Sequence, residues 1–295
     1  MAVTLTFDKM EIFLGSGNGT FKKKETYLTG SRSFSGVVGD FGGDGNIDIA
    51  LATSSSASSA IRLYKGMGDG TFSKPKIFAK DLVPLTLIKK DMNNDGLQDL
   101  IFSAGQGDNM YMLLSRGDGT FEKGIAFSGG GGPIALTAGH FNSDNQVDIA
   151  VANSRSSNFS LVMRTTNESF HYPTRDYVVD GGTPLAITSG DYNNDGHIDI
   201  HVTNMSSTAG KRILKRLFPD EAGSAGTSGV LGKLAAGNSL FRSLGDGTYQ
   251  DVSSSVGPMA AGWAWGGGFV DFDNDGWQDI HSPNGFISGK SLKDT

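Results

Sequence analysis

Asp271–Asp279 reads DFDNDGWQD, with carboxylates at positions 1, 3, 5 and 9 and a glycine at position 6, where the backbone must turn sharply. Aspartate and asparagine at alternate positions of a tight loop point their oxygens at one centre. That arrangement suits a hard cation taking six to eight oxygen ligands. Position 7 contributes through its backbone carbonyl, so its side chain is free to vary.

The unit recurs. It appears as DFGGDGNID at Asp40–Asp48, DMNNDGLQD at Asp91–Asp99, HFNSDNQVD at His140–Asp148 and DYNNDGHID at Asp191–Asp199, before its last copy at Asp271. The starts lie 51, 49, 51 and 80 residues apart, so one repeat carries an insertion, placed at 205–237. A second motif interleaves with the first: GNGTF at Gly17–Phe21, GDGTF at Gly68–Phe72 and Gly117–Phe121, a degraded TNESF at Thr166–Phe170, and GDGTY at Gly245–Tyr249. Asn-Gly and Asp-Gly supply the positive φ angles of tight hairpin turns, so each marks two antiparallel strands.

Short apolar segments flank both motifs and give four strands for each period, which is one blade of a β-propeller. The expected fold is therefore all-β, a β-propeller of four-stranded blades in a single domain over 1–295. Five first-and-second strand pairs and five third-and-fourth pairs can be counted. Five blades result if the N- and C-terminal strands share one blade, which leaves no free edge. The alternative is a fragment of a six- or seven-bladed propeller, because Ala2–Thr6, AVTLT, resembles the end of a second strand. Within the insertion, Lys211–Phe218 reads as a short basic helix and Val230–Ala236 as a second turn or two; a cap over one face of the ring is the simpler role.

The cation ligands expected from the spacing are Asp91, Asn93, Asp95, Leu97 and Asp99; Asp191, Asn193, Asp195, His197 and Asp199; and Asp271, Asp273, Asp275, Trp277 and Asp279. Two copies are weaker. Asp40, Asp44 and Asp48 stand without a position-3 oxygen, since Gly42 is there. Asn142, Asp144 and Asp148 follow His140, a poor calcium ligand, and lack the position-6 glycine. Calcium is favoured over magnesium because an all-protein cage with many ligands suits the larger ion. About three to five ions are expected, with graded occupancy.

Composition narrows the rest. Cysteine is absent, which excludes disulfides and thiol metal sites. The net charge of −6 argues mildly against nucleic acid. About half of the 31 Asp and Glu fall in the five loops, however, so a bound cation would cancel much of that charge locally. No apolar run approaches the ~18 residues of a spanning helix, and the N-terminus lacks the pattern of a signal peptide. Arg116-Gly117-Asp118 spells an integrin-ligand tripeptide, but Gly117 and Asp118 are demanded by the turn. Gly129–Gly132 precedes Pro133 and a strand, so it does not read as a phosphate loop. The five histidines have no recognisable nucleophile partner, and no enzyme is expected.

The pairing of DxNxDGxxD loops with GDGTF turns at this period resembles the FG-GAP and VCBS repeats, which are also found in integrin α subunits. The C-terminal third, with GNSLFRSLGDGTYQDVSSSVG and GWAWGGGFVDFDNDGWQDI, is similar to the ASPIC/UnbV type, which includes cartilage acidic proteins. The resemblance implies a calcium-binding propeller that is extracellular or at the cell surface, or periplasmic. It would serve adhesion and recognition of a protein or carbohydrate ligand on an exposed face, and a monomer is expected. Alternatives are a lectin-like propeller, with Trp263, Trp265 and Trp277 as sugar platforms, and a propeller-type polysaccharide-degrading enzyme.

Overall fold

The computed structural model describes residues 1–55, 58–166, 169–171, 174–180, 182–204, 237–256, 264 and 266–283. The helical reading of the insertion and the platform reading of Trp263 and Trp265 lie outside these residues. The chain gathers into two compact units, one of Met1–Ser128 with Thr166–Glu168, the other of Gly129–Thr165 with Ser169–Thr295.

The first unit opens with a three-stranded sheet, β1 (Ala2–Thr6), β2 (Lys9–Gly15) and β3 (Phe21–Leu28). Two four-stranded antiparallel blades follow. One holds β4 (Arg32–Gly39), β5 (Asp48–Ser54), β6 (Ala60–Tyr64) and β7 (Lys76–Phe78). The other holds β8 (Pro84–Lys90), β9 (Asp99–Ala104), β10 (Asn109–Leu113) and β11 (Ile125–Ser128).

The second unit repeats the plan. Its first blade contains β12 (Pro133–Gly139), β13 (Asp148–Asn153) and β14 (Asn158–Val162). A small hairpin, β15 (Arg164–Thr166) with β16 (Ser169–Phe170), interrupts this blade before β17 (Arg175–Val178) closes it. Next come β18 (Pro184–Gly190), β19 (Asp199–Asn204), β20 (Ser239–Ser243) and β21 (Tyr249–Asp251), the single helical turn α1 (Ser253–Val256), and the pair β22 (Gly268–Val270) and β23 (Asp279–His281). These are β-propeller blades, as the repeat spacing predicts.

Ala2–Thr6 pairs with β2 and gives the N-terminal sheet three strands of its own, while β22 and β23 pair with each other. Among the described residues, the expected sharing of one blade by the chain ends therefore has no strand pairing behind it.

The strand sequences follow from burial. The second strands β5, β9, β13 and β19 are buried on both faces almost throughout, so they read as unbroken apolar runs such as DIALAT and DIAVAN. Pro84, Pro133 and Pro184 each start a first strand, where no ladder donor is needed, and a register shift follows each one. First strands of successive blades lie side by side: β4 beside β8 in the first unit, and β12 beside β18 and β18 beside β22 in the second. Cores form between such neighbours. Phe41, Leu63, Phe102 and Phe121 meet in the first unit, and Phe141, Phe159, Val202 and Phe241 in the second.

Candidate functional site: the acidic loops

Every acidic loop joins the first strand of a blade to the second, and its own backbone holds it in shape. In four loops the residues at positions 4 and 6 are left-handed: Gly43 and Gly45, Asn94 and Gly96, Asn194 and Gly196, Asn274 and Gly276. Glycine and asparagine are the residues that tolerate such φ values, which explains the Asn or Gly at position 4 and the Gly at position 6. The position-1 carboxylate then accepts the N–H groups of positions 5 and 6. Asp91, for example, takes Asp95 at 3.2 Å and Gly96 at 2.8 Å, and Asp271 takes Asp275 at 3.1 Å and Gly276 at 3.0 Å. The position-5 carboxylate accepts the N–H of position 7, as in Asp95 from Leu97 at 2.8 Å and Asp195 from His197 at 2.9 Å.

These contacts gather side-chain oxygens at positions 1, 3 and 5. In the last loop, Asp271, Asp273 and Asp275 each present a carboxylate oxygen within 4.8 Å of the others. Two ligands of one calcium ion, each about 2.4 Å from it, are at most about 4.8 Å apart, so the donor set fits such an ion in both chemistry and span. The loops at Asp91 and Asp191 carry the asparagine amides of Asn93 and Asn193 at the middle position, each donating to the position-5 carboxylate at 2.9 and 2.8 Å. Leu97, His197 and Trp277 occupy position 7 with exposed or half-exposed side chains, as expected of a residue that contributes only its carbonyl.

Position 9 plays a part that the spacing does not reveal. Asp48, Asp99, Asp148 and Asp199 are buried, and one oxygen of each accepts a backbone N–H from the end of the third strand: Gly66, Ser115, Arg164 and Ser243, all at 2.8 Å. The other oxygen of Asp48, Asp99 and Asp199 takes the N–H of position 2, at 2.9, 2.8 and 3.2 Å. In Asp148 the second oxygen makes no bond of normal length, although the Phe141 N–H at position 2 still helps to hold its carboxyl down. Burial pushes Asp99, Asp148 and Asp199 up to about 6 despite these donors, and neighbouring loop carboxylates add to the rise. Asp279, the last copy, is exposed.

The two weaker loops hold a positive or proton-donating group of their own. In the loop at Asp40, where Gly42 leaves position 3 without an oxygen, the Lys65 ammonium stands 3.1 Å from Asp44 Oδ2. Asp44, Asp48 and Asp40 all favour its charged form. In the loop at His140, the imidazole Nδ1 is 2.9 Å from the carbonyl of Gln146, the position-7 residue. A carbonyl only accepts, so Nδ1 carries the proton.

The glycine turns are explained by structure alone. Asp69, Asp118 and Asp246 each accept the N–H of the threonine two residues on at 2.9 Å and its hydroxyl as well, which lowers all three carboxyls. The Asp118 carboxylate of the Arg116-Gly117-Asp118 tripeptide is thus engaged within its turn.

Comparison with known proteins agrees with this reading of the repeats. FG-GAP-like repeats match residues 91–151, 140–202 and 229–282, together more than half of the chain. The protein belongs to the FG-GAP-like repeat family. Among solved structures it resembles a functionally unknown protein from Desulfotomaculum acetoxidans, at 14% identity and a TM-score of 0.56, over 85% of this chain and 64% of that one. It also resembles an Agrocybe aegerita lectin that recognises non-reducing terminal N-acetylglucosamine, at 15% identity and a TM-score of 0.56, over 95% and 70%. A Lactobacillus plantarum protein matches at 12% identity and a TM-score of 0.53, over 85% and 66%. At these identities the likeness is one of fold, and the chain spans about two thirds of the length of each neighbour. No curated protein matches in sequence. No helix among the described residues is long and apolar enough to cross a membrane.

Proposed function

We propose that the protein is a non-catalytic, calcium-stabilised recognition module that acts outside the cell or at its surface. The observation that carries this is the oxygen cluster of Asp271, Asp273 and Asp275, repeated with asparagine at the middle position in the loops at Asp91 and Asp191. Calcium supplies charge balance and rigidity to loops whose carboxylates otherwise repel one another. The rigid loops leave blade faces free to bind a protein or carbohydrate, for which the lectin of the same fold is a precedent. The ASPIC/UnbV-type likeness of the GNSLFR and GWAWGGGF segments belongs to the same proposal.

Three full loops and two incomplete ones set the stoichiometry. Lys65 pairs with the Asp44 carboxylate and His140 with the Gln146 carbonyl, two of the oxygens a cation would need, so three calcium ions bind per chain. Native mass spectrometry after equilibration with calcium checks the count; a chain that takes up no calcium overturns the proposal. His140→Asp restores a position-1 carboxylate and is expected to raise the count from three to four.

A further inference from the structure

We infer that the blade formed by β12, β13, β14 and β17 carries a pocket for a small hydroxylated carboxylate, of the class of acidic monosaccharides. The inference rests on the reading of the protein as a recognition module, yet it concerns a different place from the three full cation loops. A cavity of about 270 Å³ opens beside the His140 loop, with Arg164, His171 and Arg175 on its wall. Asn142, Asp144 and Thr165 add further polar groups to the lining, and Leu161 and Met163 form the apolar part.

Comparison between blades shows what is special here. The residue whose N–H meets the position-9 carboxylate is glycine or serine in the other three complete blades, at Gly66, Ser115 and Ser243, but Arg164 in this one. The residue after the turn aromatic is Ser73, Glu122 or Gln250 in the other three complete blades and His171 here. The turn differs too: TNESF stands in place of GDGTF, with Thr166 in β15 and Ser169–Phe170 in β16. Arg175 has a structural counterpart. Arg175 Nη1 donates to the carbonyl of Gly247 at 2.7 Å, just as Lys76 Nζ donates to Gly119 at 3.3 Å from the matching place in its own blade. Arg164 and His171 have no such counterpart.

The charges favour an anion. Two guanidinium groups line the cavity with one carboxylate, Asp144, whose oxygens accept Asn142 Nδ2 at 2.9 Å and Gln146 N–H at 2.8 Å, and Asp246 also acts on Arg175 from outside the lining. Arg164 is 3% exposed, so its charge acts across desolvated space, where it counts for more than at a surface. The amide of Asn142, the hydroxyl of Thr165 and the carboxylate of Asp144 are each engaged locally, but their oxygens keep further lone pairs that suit the hydroxyls of a sugar, and the two apolar side chains suit its C–H face. A sugar acid engages both the guanidinium groups and the polar oxygens of the lining, whereas a bare inorganic anion engages only the first.

Titration calorimetry with sodium glucuronate, glucose and sodium sulfate tests the inference. Glucuronate is expected to bind, with glucose and sulfate at least about 10-fold weaker, the size of one lost charge-assisted hydrogen bond. Arg164→Met and His171→Ala are each expected to weaken glucuronate by a similar factor. Because His171 is exposed, that variant carries the test should Arg164→Met fail to fold. No binding of glucuronate, equal binding of glucose or sulfate, or a folded His171→Ala variant that binds like the native protein would each overturn it. Running the titrations in both chelator and calcium separates this outcome from the calcium proposal, since binding in chelator stands whether or not the loops take up cations.

Discussion

Asp99→Ala is expected to destabilise the protein by about 3 kcal/mol, whereas Asp91→Ala, eight residues earlier in the same loop, costs under about 1 kcal/mol in chelator. The difference lies in what each carboxylate holds. Asp91 is only half-buried and accepts N–H groups of its own loop, which water can satisfy once the side chain is gone. Asp99 is fully buried and ties Met92 N–H to Ser115 N–H, joining the loop to the end of the third strand. Removing it leaves two buried donors without an acceptor, each costing about 1–3 kcal/mol.

Part of that cost is offset. Burial has raised the Asp99 carboxyl to about 6 from its ordinary value, so in the absence of calcium the protein is stabilised by this group below the unfolded value and loses that contribution as pH rises through about 6. The Ala variant escapes the penalty, so its deficit is larger at pH 5 than at pH 7 in chelator. Calcium changes the comparison, because Asp91→Ala also removes a ligand and its cost grows when the ion is present. Urea unfolding of both variants, in calcium and in chelator, checks the contrast. Equal losses in chelator, or a loss under about 1 kcal/mol for Asp99→Ala, would refute the linchpin role of position 9.

That role shows where the sequence stops being legible. Blades, turns and loops could be read because their signals are steric. Left-handed positions demand Gly or Asn, as at Gly96 and Asn94, and doubly buried second strands demand apolar runs, as in DIALAT. At position 9 the recurring aspartate groups with the ligands, and the spacing carries no sign of its second, structural role. Its partner is a backbone N–H, which leaves no mark in the sequence, and for Asp199 that partner, Ser243, lies 44 residues downstream across the insertion. Lys65 was equally hidden. A single lysine among 25 basic residues carries no motif, and only folding places its ammonium where Gly42 leaves a gap. His140 was recognised as a poor ligand, but its link to the carbonyl of Gln146 depends on the loop geometry. The tripeptide at Arg116 went the other way, since the turn requirement already accounts for Asp118 in the sequence, and the structure places its carboxylate on Thr120.

His201 is expected to make the protein lose about 3 kcal/mol of stability as pH falls from 6.5 to about 4, relative to a His201→Gln variant. It sits in the middle of β19, fully buried, between Thr188 and Leu240 of the flanking strands, with the Phe269 ring 6.3 Å away. Gly267 approaches so closely that a Cβ there would lie 2.9 Å from Nδ1, and Ser282 Oγ stands 3.5 Å from Nε2. None of these neighbours is ionisable, and burial alone lowers the imidazole to about 4. The sign follows directly. Above 6.5 the ring is neutral in both folded and unfolded chains and contributes nothing to the pH dependence. Between 6.5 and about 4 the unfolded chain takes up a proton that the folded core refuses, so stability falls by about 1.4 kcal/mol per pH unit. The buried carboxylates of the loops titrate over the same range with the opposite sign, and for that reason the measurement must be a difference between two proteins that share them. Urea midpoints of native protein and His201→Gln at pH 7, 6, 5 and 4 give that difference. A gap that stays constant with pH would mean that water or a polar partner reaches the ring and that β19 is not sealed at its centre; a gap that closes steadily on acidification, by about 3 kcal/mol in all, places a neutral imidazole in the dry interior of the second unit.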